Sequence, residues 1–202
     1  MASNKLWNTG VDDQGNLVAL GQRDPHWLLI SGPVITQPRA AYVLSDQRLG
    51  NYFQTGDSLW IGADARGAAQ SGSLYVYQTK FYVEIDSKHW IQINGMWGVD
   101  NYGQFTIDNA PLPPGSGGGE ISLPMGLVGT NYTQPHAFSI SESHFLSLSH
   151  LSLKIGWHTL EVWVYNEGLE PVPQNPSSFN VSAKIVVYPV PSLPLPFQSI
   201  RR

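Results

Sequence analysis

Apolar and polar residues alternate in twos along several stretches of this chain, which is the period of a β-strand with one buried face. The longest such run is residues 74–85, LYVYQTKFYVEI, rich in Tyr, Phe and Val, residue types that suit a pleated, half-buried surface. In residues 158–165, Leu160, Val162 and Val164 point to one face, while Glu161, Trp163 and Tyr165 point to the other. Residues 180–188 carry Val181, Ala183, Ile185 and Val187 on their apolar side. Shorter strands are predicted at 26–30, 40–44, 89–93, 95–99, 104–107 and 137–140. Residues 142–153, with Phe145, Leu148 and Leu151, fit either a helical turn or an edge segment.

Turn chemistry sets the connections. Asp100-Asn101-Tyr102-Gly103 lies between two strand-like runs, and Asn and Gly tolerate the positive φ of a tight turn, so residues 95–109 are predicted as a β-hairpin. Residues 111–119, PLPPGSGGG, are a loop rather than a domain boundary, because strand signals resume beyond them. The end of the chain carries Pro189, Pro191, Pro194 and Pro196; proline cannot donate to a ladder, so an extended arm is expected there. The expected organisation is a β-sandwich over residues 1–188 and a Pro-rich arm over 189–202, with short helices or none.

Composition narrows the function classes. A chain of 202 residues suits one domain. Charged residues make up only 13% and the formal net charge is −4, with no Lys/Arg cluster except Arg201-Arg202, so nucleic acid and anionic membrane surfaces are not expected partners. No apolar run approaches the ~20 residues of a membrane-spanning helix. The absence of cysteine excludes disulfides, thiolate metal sites and a cysteine nucleophile. The opening residues, MASNKLWNTG, lack the basic and apolar regions of a secretory signal.

Four segments resemble the jelly-roll, galactose-binding-like domains of bacterial surface proteins, including many with a PEP-CTERM sorting tail. These are Asn8–Leu17 followed by Asp24-Pro-His-Trp27; Trp60-Ile-Gly62 with Tyr75–Phe81; Gly95-Met-Trp97-Gly-Val-Asp100-Asn101 leading to Ile107-Asp-Asn109; and Gly156–Val162 with Asn166-Glu-Gly168 and residues 176–181. The resemblance implies one jelly-roll sandwich and an extracellular or surface location; self-association or a protein partner is a separate expectation, from the Pro-rich arm, low charge and exposed aromatics. The chain departs from it in lacking a visible signal and a C-terminal membrane segment, and in its long stretch at 115–134; the start as written fits a cytoplasmic protein.

Sugar recognition needs an aromatic platform for the apolar ring face and short polar side chains for the hydroxyls. Trp97, Asp100, Asn101 and Tyr102 supply both in one run, and Trp60, Asp64 and Arg66 are expected to approach from another loop. The competing reading makes Trp97 a core residue and Asp100 and Asn101 ordinary turn formers. Glu161, Trp163 and Tyr165 form a second candidate surface, whose alternative is a covered outer face. Asp12, Asp13, Asn16 and Asp24 offer oxygen ligands for a structural Ca²⁺, although the run does not match the EF-hand loop pattern, and an Asx turn explains it equally.

Catalytic signatures are missing. The six histidines, at 26, 89, 136, 144, 150 and 158, have no zinc spacing, and no G-x-S-x-G elbow occurs. Glu84, Asp86, Asp108 and Glu161 are the carboxylates that a glycosidase would have to pair. Asn131-Tyr-Thr133 and Asn180-Val-Ser182 match the glycosylation sequon. The expected function is therefore a non-catalytic, lectin-like carbohydrate-binding module that needs no cofactor. The alternative is a structural or assembly subunit whose exposed aromatics and Pro-rich arm form interfaces.

Overall fold

Runs of alternating β-branched and aromatic residues become strands wherever the chain can bury one side of them. The computed structural model describes residues 4–47, 51–86, 89–111, 120–121, 131–141, 155–167 and 176–190. It contains β1 (Arg23–Ser31), β2 (Arg39–Val43), β3 (Ile61–Gly62), β4 (Ser73–Val83), β5 (His89–Asp100), β6 (Tyr102–Ile107), β7 (Ala110–Pro111), β8 (Glu120–Ile121), β9 (His136–Ser141), β10 (Gly156–Asn166) and β11 (Ser178–Pro189). No α-helix occurs among the described residues. The ambiguous run at 142–153 lies outside them, as do residues 112–119 of the Pro/Gly loop and residues 191–202 of the arm.

All pairings are antiparallel and join the strands into one hydrogen-bonded path, β7-β6-β10-β4-β1-β2-β3-β11-β5-β9, with β8 also on β6. The path curls until its two wings face each other. Trp97 of β5 lies 4.1 Å from Phe105 of β6, ring centre to ring centre. Phe105 in turn meets Phe138 of β9 at 4.9 Å. Phe179 of β11 meets Trp27 of β1 at 5.2 Å and Tyr77 of β4 at 4.7 Å. The core between the wings is one continuous cluster that includes Leu160, Val162 and Val164, all fully buried. The alternation read in β10 is the alternation observed.

The predicted hairpin at 95–109 is not formed. β5 pairs with β11 and β9, β6 pairs with β10, β7 and β8, and Asn101 carries the chain between the two wings. None of residues 100–103 adopts positive φ, so the primed turn that a two-residue hairpin requires is absent. Facing Trp97 and Phe105 across the core buries both rings, which pairing side by side in one layer would not do. The tight hairpin lies a few residues later. Asp108 (φ 49°) and Asn109 (φ 65°) join β6 to β7, the double positive φ of a type I′ turn.

Glycine sets close approaches inside the strands. The two short runs at 89–93 and 95–99 are one strand because Gly95 interrupts nothing; a Cβ there would overlap the Ser182 carbonyl of β11. Gly103 of β6 is tighter still, since a Cβ would run into the Trp163 carbonyl of β10. Backbone cannot yield as a side-chain tip can, so Gly103→Ala is expected to cost about 1–3 kcal/mol. A urea unfolding midpoint equal to that of the native chain would refute this close contact.

Candidate functional site

The loop-end residues proposed from sequence are drawn inward. Trp97 is fully buried between the wings. Trp60 is also fully buried; its ring stacks on Tyr52 at 4.3 Å, and its Nε1 donates to the Phe53 carbonyl at 2.7 Å. Tyr52 then donates its hydroxyl hydrogen to Asp100 Oδ2 at 2.6 Å. Asp100 Oδ1 accepts from Asn101 Nδ2 at 2.9 Å, and the Asn101 carbonyl accepts from Asn131 Nδ2 at 2.7 Å. Asn101 Oδ1 accepts from the Glu167 amide at 2.8 Å. Burial pushes the Asp100 carboxyl up to about 7 against the opposing pull of the Tyr52 hydrogen bond. Trp60, Asp100 and Asn101 thus form one buried polar-aromatic joint at the crossing between wings. Tyr52 and Asn131 complete it, and their contribution was not read from the sequence.

Asp64 and Arg66 sit elsewhere. Asp64 Oδ1 accepts from the amides of Arg66 and Ala68, and the Arg66 guanidinium stands 3.9 Å from Asp64 Oδ2. Both belong to the loop after β3, where Asp64 helps to line a cavity of about 280 Å³ together with Arg39, Gln70 and Tyr75.

Tyr102 is the exception among the loop-end residues. It is half-buried on the outer face of β6, and its ring lies 4.6 Å from that of Tyr165 on β10. Burial and the Tyr165 hydroxyl push Tyr102 up to about 12. The strand register explains the meeting: Tyr165 pairs with Tyr102, Trp163 with Gln104 and Glu161 with Thr106, while on the other side Glu161 pairs with Gln78 of β4. Residues in register on one face are side-chain neighbours.

Glu161 occupies the middle of this face and is 5% exposed. Its Oε1 accepts from Gln78 Nε2 at 3.1 Å; its Oε2 accepts from Thr106 Oγ1 and Trp163 Nε1, each at 3.1 Å. Among the described residues it has no cationic partner, which is unusual because buried carboxylates are normally paired with a charge. The result is a half-buried indole whose Nε1 is tied to Glu161, followed along the same face by two tyrosine rings in tilted contact. Trp163 is the half-buried aromatic of this face, while Glu161 and Thr106 beside it are buried and bonded to each other.

The remaining acidic residues have separate partners. Asp12 Oδ1 accepts from the amides of Gln14 and Asn16, closing an Asx turn; these bonds hold its carboxyl below the usual range. Asp24 Oδ1 accepts from the amides of His26 and Trp27, and its Oδ2 from Gly10 at 2.6 Å. That places Asp24 at the irregular pairing of β1 with β2, where Pro25 has no amide to give. Asp13 stands 3.5 Å from His26 Nε2. Among the described residues no group of three or more His, Asp or Glu is arranged to hold a metal ion.

Asp86 bonds to His89 at 2.6 Å, and the Glu84 backbone bonds to the Asn4 side chain. Asp108 bonds to His158 Nδ1 at 2.7 Å and accepts from the Thr159 amide and hydroxyl. Of the four carboxylates a glycosidase would have to pair, Asp86, Asp108 and Glu161 are thus engaged by different neighbours, while Glu84 bonds to Asn4 through its backbone alone. Asn131 (4% exposed) and Asn180 (fully buried) leave neither sequon asparagine open to a modifying enzyme.

No family model matches the chain, and no curated protein matches it. Among solved structures it is similar to a β-glucosidase from Kluyveromyces marxianus, with 10% identity and a TM-score of 0.25 over 83% of this chain and 19% of that one. The chain thus spans about a fifth of that enzyme, and a likeness at this level decides neither fold nor activity. No helix among the described residues is long and apolar enough to cross a membrane.

Proposed function

We propose that the protein is a jelly-roll, galactose-binding-like β-sandwich that binds carbohydrate without catalysing its reaction. Its ligand face is the outer surface of β6, β10 and β4. The observation that carries the reading is one outer face on which Trp163 bonds to Glu161 beside Gln78 and Thr106, with the Tyr165–Tyr102 pair at the next same-face position along β10. Trp163 is the platform, the tyrosines bound it, and Glu161 is a positioning residue that fixes the indole plane. Two parts of the sequence expectation meet here, since Tyr102 comes from the loop-end set and the other aromatics from the second surface.

The test is a glycan array followed by calorimetric titration of the strongest binder. Trp163→Ala is expected to weaken binding at least tenfold, about 1.4 kcal/mol, while unfolding stays cooperative. Glu161→Gln keeps an acceptor for the indole and should bind more tightly than Glu161→Ala. Binding to no saccharide, or unaltered binding by Trp163→Ala, would refute the reading.

The assembly alternative rests on the end of β11, where Val187 (41% exposed) lies on one face and the stacked Trp90–Tyr188 pair on the other, followed by Val190 (49% exposed). It requires a native mass larger than one chain.

A further inference from the structure

We propose that the ligand is an extended oligosaccharide, held at two aromatic platforms near opposite ends of β10, Trp163 and Trp157. This inference rests on the carbohydrate reading and goes beyond it in fixing the length of the ligand.

Trp157, Thr159, Glu161, Trp163 and Tyr165 occupy alternate positions of one strand and so share one face. Their register partners on β4 continue the same strip: Tyr82 opposite Trp157, Lys80 opposite Thr159, Gln78 opposite Glu161. Trp157 is 69% exposed, far more than any other residue of the strip given a figure. Its ring meets Tyr82 edge-on at 5.4 Å, so the side chain is braced although its face is open. A cavity of about 420 Å³ adjoins it, lined by Lys80, Trp157, His158 and Thr159.

The chemistry of this second position repeats that of the first. One indole supplies a stacking plane, and Lys80 and Thr159 supply donors at its side. His158 forms the cavity wall, with Nδ1 hydrogen-bonded to Asp108 at 2.7 Å. The two tryptophans are six positions apart, which at strand spacing is about 20 Å. One or two sugar rings reach only one platform, whereas a chain of several linked rings reaches both. The second contact is then intramolecular and adds affinity through effective concentration. The exposed indole gains a partner by the same step, where an isolated exposed tryptophan of this size would contribute nothing.

The experiment measures dissociation constants of the full chain for gluco-, xylo-, manno- and galacturono-oligosaccharides of two to six units. The comparison variants are Trp157→Ala and Lys80→Ala. For the series that binds, affinity is expected to rise at least tenfold from the dimer to the hexamer, and Trp157→Ala should remove that rise. Lys80→Ala should reduce hexamer affinity only. Because Trp157 is exposed, its removal leaves the core intact, and thermal unfolding of the variant should match that of the native chain. Equal affinity for dimer and hexamer, or hexamer binding unaffected by Trp157→Ala, overturns the two-platform inference and leaves the carbohydrate reading standing. Binding to none of the series overturns the two-platform inference, and with an empty glycan array it overturns the carbohydrate reading as well. A change of native mass in Trp157→Ala would assign the indole to a protein contact and overturn the inference.

Discussion

Trp97→Ala is expected to lower folding stability by about 3–5 kcal/mol and to leave saccharide affinity of the folded fraction unaltered. Trp97 is fully buried, its ring is 4.1 Å from Phe105, and it bridges the two wings where β5 ends and β6 begins. Truncation would remove the largest side chain at that junction and leave a cavity bounded by sheet backbone on two sides, which cannot collapse. Trp97→Phe keeps the aromatic contact and should recover a large part of the loss. Its indole nitrogen has no hydrogen-bond partner among the described residues, so phenylalanine removes a desolvated donor as well as volume. Urea denaturation followed by near-ultraviolet circular dichroism measures the cost, and titration of the folded fraction measures binding. A variant that keeps its unfolding midpoint but loses saccharide would return Trp97 to the site.

That prediction turns on what a linear pattern can reveal. Period-two alternation separated the two faces of β10 correctly, because the rule depends only on the strand itself. Glu161, Trp163 and Tyr165 were therefore legible as one outer face, and Leu160, Val162 and Val164 as core. The sequence leaves Trp97 open between a platform and the core, and Asp100 and Asn101 between ligand groups and turn formers, because proximity in sequence says nothing about which side of a layer a residue faces once the chain crosses between wings. The Asp-Asn-Tyr-Gly cluster has the composition of a primed turn, yet it serves as a corner. The turn with the matching geometry was Asp108-Asn109, where the same two residue types recur. Nothing local distinguishes the two; the distinction comes from β5 finding β11 and β9 as partners and β6 finding β10.

The other gaps have the same origin. Gln78 is 83 positions and Thr106 is 55 positions from Glu161, and Tyr52 is 48 positions from Asp100. Such partners are set by strand register across the sheet and by loop packing, neither of which a single sequence encodes locally. Asp24 shows the converse case. Its neighbour Pro25 and the following His26-Trp27 already mark a local backbone irregularity, and the structure uses the carboxylate to satisfy amides at that place.

Asp100 gives the molecule an unusual dependence on pH. Its carboxyl is pushed up to about 7 by burial, against an ordinary value of 3.8 in the unfolded chain. A group with a raised folded pKa binds more protons in the folded state, so its stabilisation is complete below about pH 4 and is lost as pH rises through about 7. The three-unit shift corresponds to about 4 kcal/mol. Asp24, pushed up to about 6, acts in the same direction. His26 and His136, whose values burial lowers from the ordinary 6.5, act with the opposite sign. These three are common to the native chain and to Asp100→Asn, so the difference between the two isolates Asp100. The asparagine retains an oxygen for the Tyr52 hydroxyl but turns an amide toward Asn101 Nδ2, which adds a cost independent of pH. Unfolding free energies measured from pH 4 to pH 8 should show the native chain losing about 4 kcal/mol relative to the variant, most of it below pH 7.5. A difference that stays flat across that range would mean that Asp100 is ionised in the folded protein. The buried joint would then hold a full charge on Tyr52 and Asn101 alone.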